Sequence, residues 1–459
     1  MRGRMKGLLA ALAMVCVLGV VRVSAQEVEF NYNGRVKVNG QMFSGHGQFK
    51  FALVSKDGEA TFWTNDGLTT STSMPTATVT VDVSDGFFSV NIGDAELPGM
   101  AVLTKDVFAR DEDMYLRVWF NDGTRGFEML TPDRKITNTD LLGLKISKIK
   151  DYTIYVNGAT GNDKHLGLTP AKPKKTIQGA IDTLPAQLKC NVTIDIADGV
   201  YREQVNTIGI NAMPGKKLML LGDESWTPAF PGNPAVRVTG SNDDVTSVPV
   251  RANALYAEQS SGLRFEGLLV DYCTERGVNL DSCSSCEIIK CKIADVSRPT
   301  KNGYGVFATR VSRLVVENCL ATRNDIGFNS DSSWVKFNSD TSNDNNVGGF
   351  AGTNCIYELR GCKANFNRKN AAFAFGLQVR SHSEVNCYDY NEFTDNATHG
   401  IFLNAGSFIT FETSTGGLIA NNICGMLLDF DCFSSGHGSY TFSGNTADRV
   451  AYHGSAYYN

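Results

Sequence analysis

Two hydrophobic patterns follow one another along the chain and meet near residue 150. Before that point, short runs of alternating apolar and polar residues are separated by turn signals such as Asp57-Gly58 and Asp122-Gly123. Asp-Gly pairs support the positive φ angles of tight hairpins. The pattern predicts a small β-sandwich over residues 26–147, with strands at Glu27–Tyr32, Gly47–Val54, Thr78–Val83, Phe87–Ile92 and Met114–Phe120.

Beyond residue 150 the apolar segments repeat. The segments "EIIKCKIADV", "LVVENCLATRND" and "YELRGCKANFNR" can be laid over one another, and "SEVNCYDYNEF" follows in the same phase. This phase predicts coils of 22–28 residues that start near residues 260, 283, 311, 333, 355, 379, 407 and 432. No coil of this length can bury its own apolar face, so a core forms only when the coils stack as a solenoid.

Cysteine and asparagine recur at fixed places in these coils. One position holds Cys291, Cys319, Cys362 and Cys387, and another holds Asn324, Asn345, Asn367, Asn391, Asn422 and Asn445. A buried free thiol behaves as a small hydrophobe, so an internal cysteine column is favoured over disulfides or a metal site. Asparagine tolerates left-handed backbone and bonds to neighbouring coils, which predicts turn ladders rather than ligands.

The segment at 151–182, "DYTIYVNGATGNDKHLGLTPAKPKKTIQGAID", and the following "NVTIDIADGVYREQV" carry a resemblance to a known family. They resemble the N-terminal cap and first coil of the secreted pectin-lyase-like proteins, the right-handed parallel β-helices. In that family a short amphipathic helix closes the solenoid, and Ile177, Ala180 and Ile181 have helical spacing. The resemblance implies an all-β fold, in which a capping helix and a parallel β-helix of roughly nine coils occupy residues 148–459.

The first residues resemble a targeting segment. Arg2, Arg4 and Lys6 precede an apolar run that is followed by small residues up to Ala25. This order predicts a signal peptide over residues 1–25 and a protein that is secreted or held at the cell surface. The alternative is an uncleaved anchor, but the run is shorter than the roughly 20 residues that a spanning helix needs. We therefore expect no membrane span in the mature chain.

Composition narrows the function classes. Hydrophobic residues make up 42% of the chain, which excludes a wholly disordered protein. Lys and Arg number 43 against 48 Asp and Glu, giving a formal net charge of −5. Nucleic-acid binding proteins usually show a basic footprint, so we expect no nucleic-acid partner.

The family resemblance implies an acidic polysaccharide as substrate or ligand. Family lyases use a Lys or Arg base, often with Ca²⁺ held by carboxylates, whereas family hydrolases use pairs of Asp. Neither the ordered hydrolase motifs nor the basic triad of the lyases is intact in this sequence. Two alternatives to a lyase or hydrolase therefore stay open, namely a non-catalytic adhesin-like surface protein and a homotrimeric fibre protein.

Charged residues in the turn after the cysteine column are the candidate catalytic groups. Residues two coils apart lie about 10 Å from each other, so both can face one sugar. This reasoning gives the catalytic candidates Arg323, Asp325, Arg368 and Lys369. The substrate-binding candidates are two residues of the longest loop, one aromatic residue and one acidic residue: Arg298, Lys301, Trp334 and Glu392. Tyr388 is a further candidate for stacking on a sugar.

A second group of carboxylates suits a cation. The segment "NSDSSWVKFNSDTSNDNN" contains Asp331, Asp340 and Asp344, together with Lys336. Hard oxygen ligands suit Ca²⁺, so these three residues are the candidate metal ligands. The alternative is that they are ordinary Asp- and Asn-rich turns of a solenoid.

Overall fold

The chain is almost wholly β-structure in the residues that the structure describes. The computed structural model describes residues 27–67, 74–104, 107–108, 113–136, 151–229, 232–244, 248–296, 303–367, 373–412, 416–436 and 440–457. The predicted signal peptide, residues 1–25, lies outside these ranges. Two large hydrophobic cores are present, one formed within residues 28–136 and the other within residues 154–440.

The N-terminal strands form small antiparallel sheets around one core. The largest sheet has five strands, Thr61–Thr64, Val79–Val83, Gly45–Ser55, Met114–Asn121 and Glu128–Lys135. The two-stranded sheets pair Phe30–Arg35 with Phe87–Ile92, Glu27–Val28 with Leu103–Thr104, and Lys37–Val38 with Gln41–Met42. Alternation places residues such as Phe49, Phe51 and Leu53 on the buried face. The predicted strands in this region are confirmed to within a few residues, while Thr61–Thr64 and Glu128–Lys135 were missed.

The rest of the chain forms a parallel β-helix with three long sheets. Sheet A contains Tyr152–Val156, Val192–Ile196, Leu218–Leu221, Leu263–Glu266, Cys286–Ile289, Leu314–Glu317, Trp334–Asn338, Ile356–Arg360, Glu384–Tyr388, Phe408–Phe411, Phe433–Ser435 and Ala456–Tyr457. Sheet B contains Gly199–Tyr201, Val236–Thr239, Leu268–Asp271, Lys292–Ala294, Leu320–Thr322, Thr341–Asn343, Lys363–Asn365, Asn391–Thr394, Gly417–Ala420 and Tyr440–Ser443. Sheet C contains Val205–Ile208, Asn253–Glu258, Arg276–Asp281, Tyr304–Thr309, Ile326–Asp331, Gly348–Thr353, Phe375–Arg380, His399–Asn404, Cys424–Asp429 and Ala447–Ala451.

One coil is a succession of strands from sheets A, B and C. Coil one begins at Val192 and coil ten at Phe433, so ten complete coils are described, against roughly nine predicted. The predicted starts precede the sheet A strands of coils three to ten by at most five residues, the largest error being in coil eight, which begins at Glu384. The apolar repeat therefore gave the phase of the solenoid correctly.

A short helix lies at the N-terminal end of the solenoid. Among the described residues the only α-helix is Ile177–Ile181, and its apolar side chains belong to the solenoid core. Coil one binds the first N–H groups of the helix. The Glu203 carboxylate of that coil accepts from the backbone N–H of Ile177 and of Gln178, each at 2.9 Å. With five residues, the helix covers much less of the solenoid end than the predicted cap.

The cysteine column is real but contains two other residue types. The register between successive sheet B strands aligns the positions of Cys291, Cys319, Asp340, Cys362 and Asn391. Each side chain is at most 1% exposed. Side chains accept from the backbone of the preceding coil, as in Cys319 N–H to Asp340 Oδ1 at 2.8 Å and Cys362 N–H to Asn391 Oδ1 at 2.8 Å.

Cys387 and Asn391 correct the predicted columns. Cys387 lies within sheet A, opposite Leu359, and not in the cysteine column. Asn391 takes the place that was assigned to Cys387. Two residues lie between Leu359 and Cys362, but three lie between Cys387 and Asn391, so coil eight has one additional residue in this turn.

An asparagine ladder connects six coils at the turn between sheets B and C. Its members are Asn324, Asn345, Asn367, Asn396, Asn422 and Asn445, so Asn396 replaces the predicted Asn391. Each Oδ1 accepts from the backbone N–H of the preceding member, at 3.0–3.4 Å. The sheet C position that packs against the ladder leaves no room for a side chain. At Gly400, for example, a Cβ would lie 2.9 Å from Asn422 Nδ2 and 2.7 Å from the Gly425 carbonyl oxygen.

Replacing Asn396 by alanine should destabilise the solenoid. The side chain is buried and bonds to Asn367 and Asn422 and to the Ala364 carbonyl. An unpaired buried polar group costs about 1–3 kcal/mol, so we expect Asn396→Ala to lower the free energy of unfolding by at least that amount. Urea denaturation followed by circular dichroism measures it. The control is Asn404→Ala at a half-buried position, and an equal loss in both variants would contradict a special role for the ladder.

Candidate functional site

Four of the predicted site residues lie outside the described residues. Arg298 and Lys301 belong to the connection between sheets B and C in coil four, and Arg368 and Lys369 belong to the same connection in coil seven. Their proposed roles as substrate-binding and catalytic residues therefore stay predictions.

The two described members of the predicted catalytic group are occupied by structural contacts. Asp325 is 4% exposed, and its carboxylate accepts from the Gly303 N–H at 2.6 Å and from Asn346 Nδ2 at 3.1 Å. Arg323 donates two hydrogen bonds to the Asp295 carboxylate, at 2.8 and 2.6 Å, and this partner raises the pKa of the guanidinium. Asp325 thus binds the C-terminal end of the connection between sheets B and C in coil four, at Gly303. Arg323 links its own coil to the preceding coil through Asp295 at the surface.

The structure does not assemble the predicted Ca²⁺ ligands. Asp331 ends a sheet C strand, Asp344 follows a sheet B strand, and Asp340 lies in the cysteine column inside the core. Among the described residues, no group of three or more His, Cys, Asp or Glu side chains is arranged to hold a metal ion. The prediction grouped the three residues because they are close in sequence. In the structure they belong to different strands and turns of the coil, so they lie on different sides of the solenoid.

The two remaining candidates lie on different faces. Glu392 points outward from sheet B, where its carboxylate lies 3.1 Å from Lys363 Nζ. Trp334 opens a strand of sheet A, and its side chain lies on the outer face with Lys336 and Asn338. Val335 and Phe337 alternate with them and are buried. Of these two candidates, only Trp334 therefore lies on the outer face of sheet A with other partly exposed side chains.

An apolar ridge runs along the outer face of sheet A. In register with Trp334 are Ile356, Glu384, Phe408 and Phe433 of the four following coils. Ile356 is 43% exposed and Phe408 is 37% exposed. The ridge thus presents one aliphatic and three aromatic side chains to solvent, interrupted by one carboxylate.

Charged side chains flank this ridge on the same face. Lys336 is in register with Glu358, and Asn338 with Arg360. The Arg360 guanidinium lies 3.8 Å from the Glu358 carboxylate and 4.1 Å from the centre of the Tyr388 ring. Its buried Nε has no hydrogen-bond partner among the described residues. Desolvation, followed by the Glu412 and Glu358 carboxylates, raises the pKa of the Tyr388 phenol.

Lys336 differs from the cations of the earlier coils. In coils two to four, Lys217 and Arg264 bond to Glu287, at 2.7 and 3.5 Å, and Arg264 also bonds to Glu266. Lys336 forms no ion pair with any residue that the structure describes. Its ammonium is therefore available to an anionic group, with the Trp334 ring on the same strand beside it.

Sequence reasoning found part of this face. Trp334 and Tyr388 were candidates because of their residue type, and Lys336 was noted only beside the carboxylates. Glu358, Arg360 and Phe408 were missed. The signal that could have found them is the outward position next to each buried sheet A residue, which can be assigned only after the register of every coil is known.

Comparison with known proteins agrees with the fold. The family described as "Right handed beta helix region" matches residues 234–447, and a domain of unknown function, DUF8740, matches residues 31–133. A search of curated proteins gives no match. The three parallel sheets and the match to residues 234–447 agree that the solenoid is a right-handed parallel β-helix, which follows a region with small β-sheets.

Several solved β-helix structures are distantly similar. The GH136 lacto-N-biosidase from Eubacterium ramulus is 10% identical, with 67% of this chain and 68% of that chain covered and a TM-score of 0.42. Pectate lyase Pel9A is 13% identical, with 67% and 78% covered and a TM-score of 0.40. Tailspike protein 2 of bacteriophage CBA120 is 13% identical, with 64% and 43% covered and a TM-score of 0.38. Likenesses this distant assign no ligand to the present chain.

Stability should depend on pH through Asp340. Burial raises the pKa of its carboxyl well above the ordinary value, and the Glu317 carboxylate adds to the shift. Above pH 4 the unfolded chain releases this proton while the folded chain retains it, so the wild type loses stability as pH rises towards the folded pKa. Asp340→Asn lacks this loss, and we expect its stability relative to the wild type to increase between pH 4 and pH 7.

Urea denaturation at both pH values tests this expectation. The Asn338 N–H also donates to Asp340, so Asp340→Asn adds a constant offset that cancels in the comparison between pH values. Asp344→Asn at a partly exposed position controls for the removal of a carboxylate. A difference from the wild type that does not change with pH would contradict a buried, protonated Asp340.

Proposed function

We propose that the outer face of sheet A in coils six to ten binds an acidic polysaccharide. The observation that carries the proposal is the ammonium of Lys336, which forms no ion pair among the described residues and lies beside the ridge that begins at Trp334. Aromatic rings pack against the C–H faces of sugars, and a free cation attracts a carboxylate. The signal-peptide pattern at residues 1–25 supports a secreted or surface-held protein, where such glycans occur.

The spacing within one strand suits a single uronic acid unit. Trp334 and Lys336 are two residues apart on the same face, which is about 6–7 Å along the strand. A uronate ring packed on the Trp334 indole would then present its carboxylate to Lys336 Nζ. Further units would pass along the ridge over Ile356 towards Phe408, since each coil advances by about 4.8 Å.

Cleavage of the bound chain is the second candidate function. In this reaction Lys336 would act as its neutral amine: it would take the proton from the carbon that bears the uronate carboxylate, while the glycosidic oxygen leaves the neighbouring carbon and takes up a proton. Tyr388, two coils further along, and Arg360, one coil further along, are groups for the leaving oxygen and the carboxylate, respectively. A non-catalytic adhesin-like protein or a homotrimeric fibre would use the same face for binding alone.

Two substitutions test the binding face. We expect Trp334→Ala and Lys336→Gln each to weaken binding of polygalacturonate or alginate at least about tenfold, equivalent to about 1.4 kcal/mol. Affinity electrophoresis of the purified mature protein gives the dissociation constants. Lys363→Gln is the matched control, because it removes a lysine on sheet B that is paired with Glu392. If Lys363→Gln weakens binding as much as Lys336→Gln, the ligand does not lie on sheet A.

Incubation with the same glycans separates cleavage from binding. The reaction is followed by the absorbance of unsaturated uronate and by reducing ends, with and without added Ca²⁺. Absorbance that is lost in Lys336→Gln supports a lyase, whereas reducing ends without absorbance indicate a hydrolase. Binding without either product supports the non-catalytic alternative, and the absence of binding by all acidic glycans contradicts the proposal.

A further inference from the structure

One corner of the solenoid contains two cysteines, Cys283 and Cys286. This corner connects sheet C of coil three to sheet A of coil four. The chain turns here on Ser282 and Ser285, which both have left-handed backbone with a φ of 53°. Both serines are exposed, whereas the two cysteines belong to the hydrophobic core and are only 2% and 1% exposed. Two thiols therefore lie directly beneath the surface at one turn.

The residue types at these two positions differ from those of the neighbouring coils. Strand register aligns Cys286 with Leu314, and Leu263 begins the preceding strand of sheet A. At the corner, the bridge between the two following residues aligns Cys283 with Ser260. Cysteine thus replaces leucine at an inward position beside a second cysteine. The cysteine side chain is shorter than leucine, so the sulfur of the corner residue can approach it.

The two thiols lie within hydrogen-bonding reach of each other. This contact lowers the pKa of the Cys283 thiol, while the same contact, followed by burial, raises the pKa of Cys286 well above its usual value. In the cysteine column, burial raises the pKa of the Cys319 and Cys362 thiols. The thiolate is the reactive form of cysteine. Cys283 is therefore suited to attack an oxidant, and Cys286 is placed to resolve the product.

The surroundings of the pair do not suit a metal ion. A structural zinc site needs four ligands, usually Cys and His. Among the described residues, no third His, Cys, Asp or Glu side chain joins the two thiols in such a group. The remaining polar contacts of the sulfurs are with backbone carbonyls, from Cys283 to Asp281 at 3.3 Å and from Cys286 to Ser284 at 3.8 Å. The pair is arranged for a bond between the two sulfurs.

We propose that Cys283 and Cys286 form a disulfide bond that closes this corner of the solenoid. Two thiols already in contact need only a small displacement to reach the S–S distance of about 2.05 Å. The oxidant is another disulfide, carried by a thiol oxidase or by a small molecule such as oxidised glutathione. The predicted signal peptide would bring the chain into a compartment where disulfides persist.

The reaction is a thiol–disulfide exchange in two steps. The Cys283 thiolate attacks one sulfur of the oxidant, which forms a mixed disulfide and releases the other sulfur as a thiolate. Cys286 then loses its proton and attacks the Cys283 sulfur, which releases the second thiolate of the oxidant. Two cysteine thiols are oxidised, and the oxidant takes up two electrons and two protons to become two thiols. Access requires only a local opening of the corner, where Ser282 and Ser285 are already exposed.

Peptide mapping of the full mature chain tests this assignment. Trypsin releases residues 277–290 as one peptide, which contains Cys283 and Cys286 and no other cysteine. The protein is reduced, freed of reductant, incubated with oxidised glutathione and unfolded in excess N-ethylmaleimide. We expect this peptide to be unlabelled and lighter by two hydrogen atoms than its reduced form. Cys319 lies in a separate peptide, 314–323, and should stay labelled, because its thiol is buried and protonated.

Thermal melting supplies a second readout. We expect the melting temperature of the oxidised wild type to lie about 2–4 °C above that of the reduced protein. Cys283→Ser is the matched variant, because serine already occupies the aligned position at Ser260 and should keep the fold. The melting temperature of this variant should not respond to oxidised glutathione.

Several outcomes overturn the assignment. Labelling of both thiols in peptide 277–290 after oxidation would show that no bond forms, and glutathione retained on Cys283 would show that Cys286 does not resolve the mixed disulfide. Oxidation of Cys319 before this pair would assign the bond to the cysteine column, where the Cys291 N–H donates to Cys319 Sγ at 3.4 Å. An oxidised protein that melts no higher than the reduced one would contradict closure of the corner. Failure of the sheet A proposal affects none of these readouts.

Discussion

The register between successive coils is the constraint on which the whole solenoid depends. Every strand between the first and the last of sheets A, B and C bonds to the coil before and the coil after it, so a residue inserted within such a strand would break the pairing on both sides. Insertions are therefore confined to the corners. From coil two onward, the connection from sheet C to sheet A never exceeds four residues, and it turns on residues with left-handed backbone such as Ser282, Arg310 and Ser332. The longer connections all lie at the other two corners.

The same register explains why polar groups are tolerated in the core. Side chains at aligned positions of successive coils can form a continuous series of hydrogen bonds, because each side chain accepts from the backbone N–H of the aligned residue in the preceding coil. Cysteine, aspartate and asparagine all do this in the column that contains Asp340. Only the aspartate brings a titratable charge into the apolar interior, so it is the residue at which the column responds to pH.

Much of the fold could be predicted from the sequence, because stacking repeats one apolar pattern many times. The coil phase, Cys291, Cys319, Cys362 and five of the six ladder asparagines were correct for this reason. The single additional residue before Asn391 could not be predicted, because Cys387 is a cysteine close to the place expected for the next member of the column. The candidate site was predicted poorly for a related reason. Trp334 could be chosen by residue type, but the side chains that flank Lys336 on the outer face lie one coil away and some twenty residues further along the chain, at positions that only the register identifies.

Side chains at the outward positions of the sheets can differ in chemical type without disrupting the fold. They add little to the core, so the ridge on the outer face of sheet A is not required by folding. Sheets A and C share the same coils. In coil six, Trp334 and Lys336 lie on one side and Ala351 on another, and the interior between them is filled by Phe337 and Phe350, whose rings are 5.0 Å apart. A close-packed interior of this kind does not deform to fit one ligand. A ligand on the outer face of sheet A would therefore lie on a rigid support whose geometry does not change when the ligand binds.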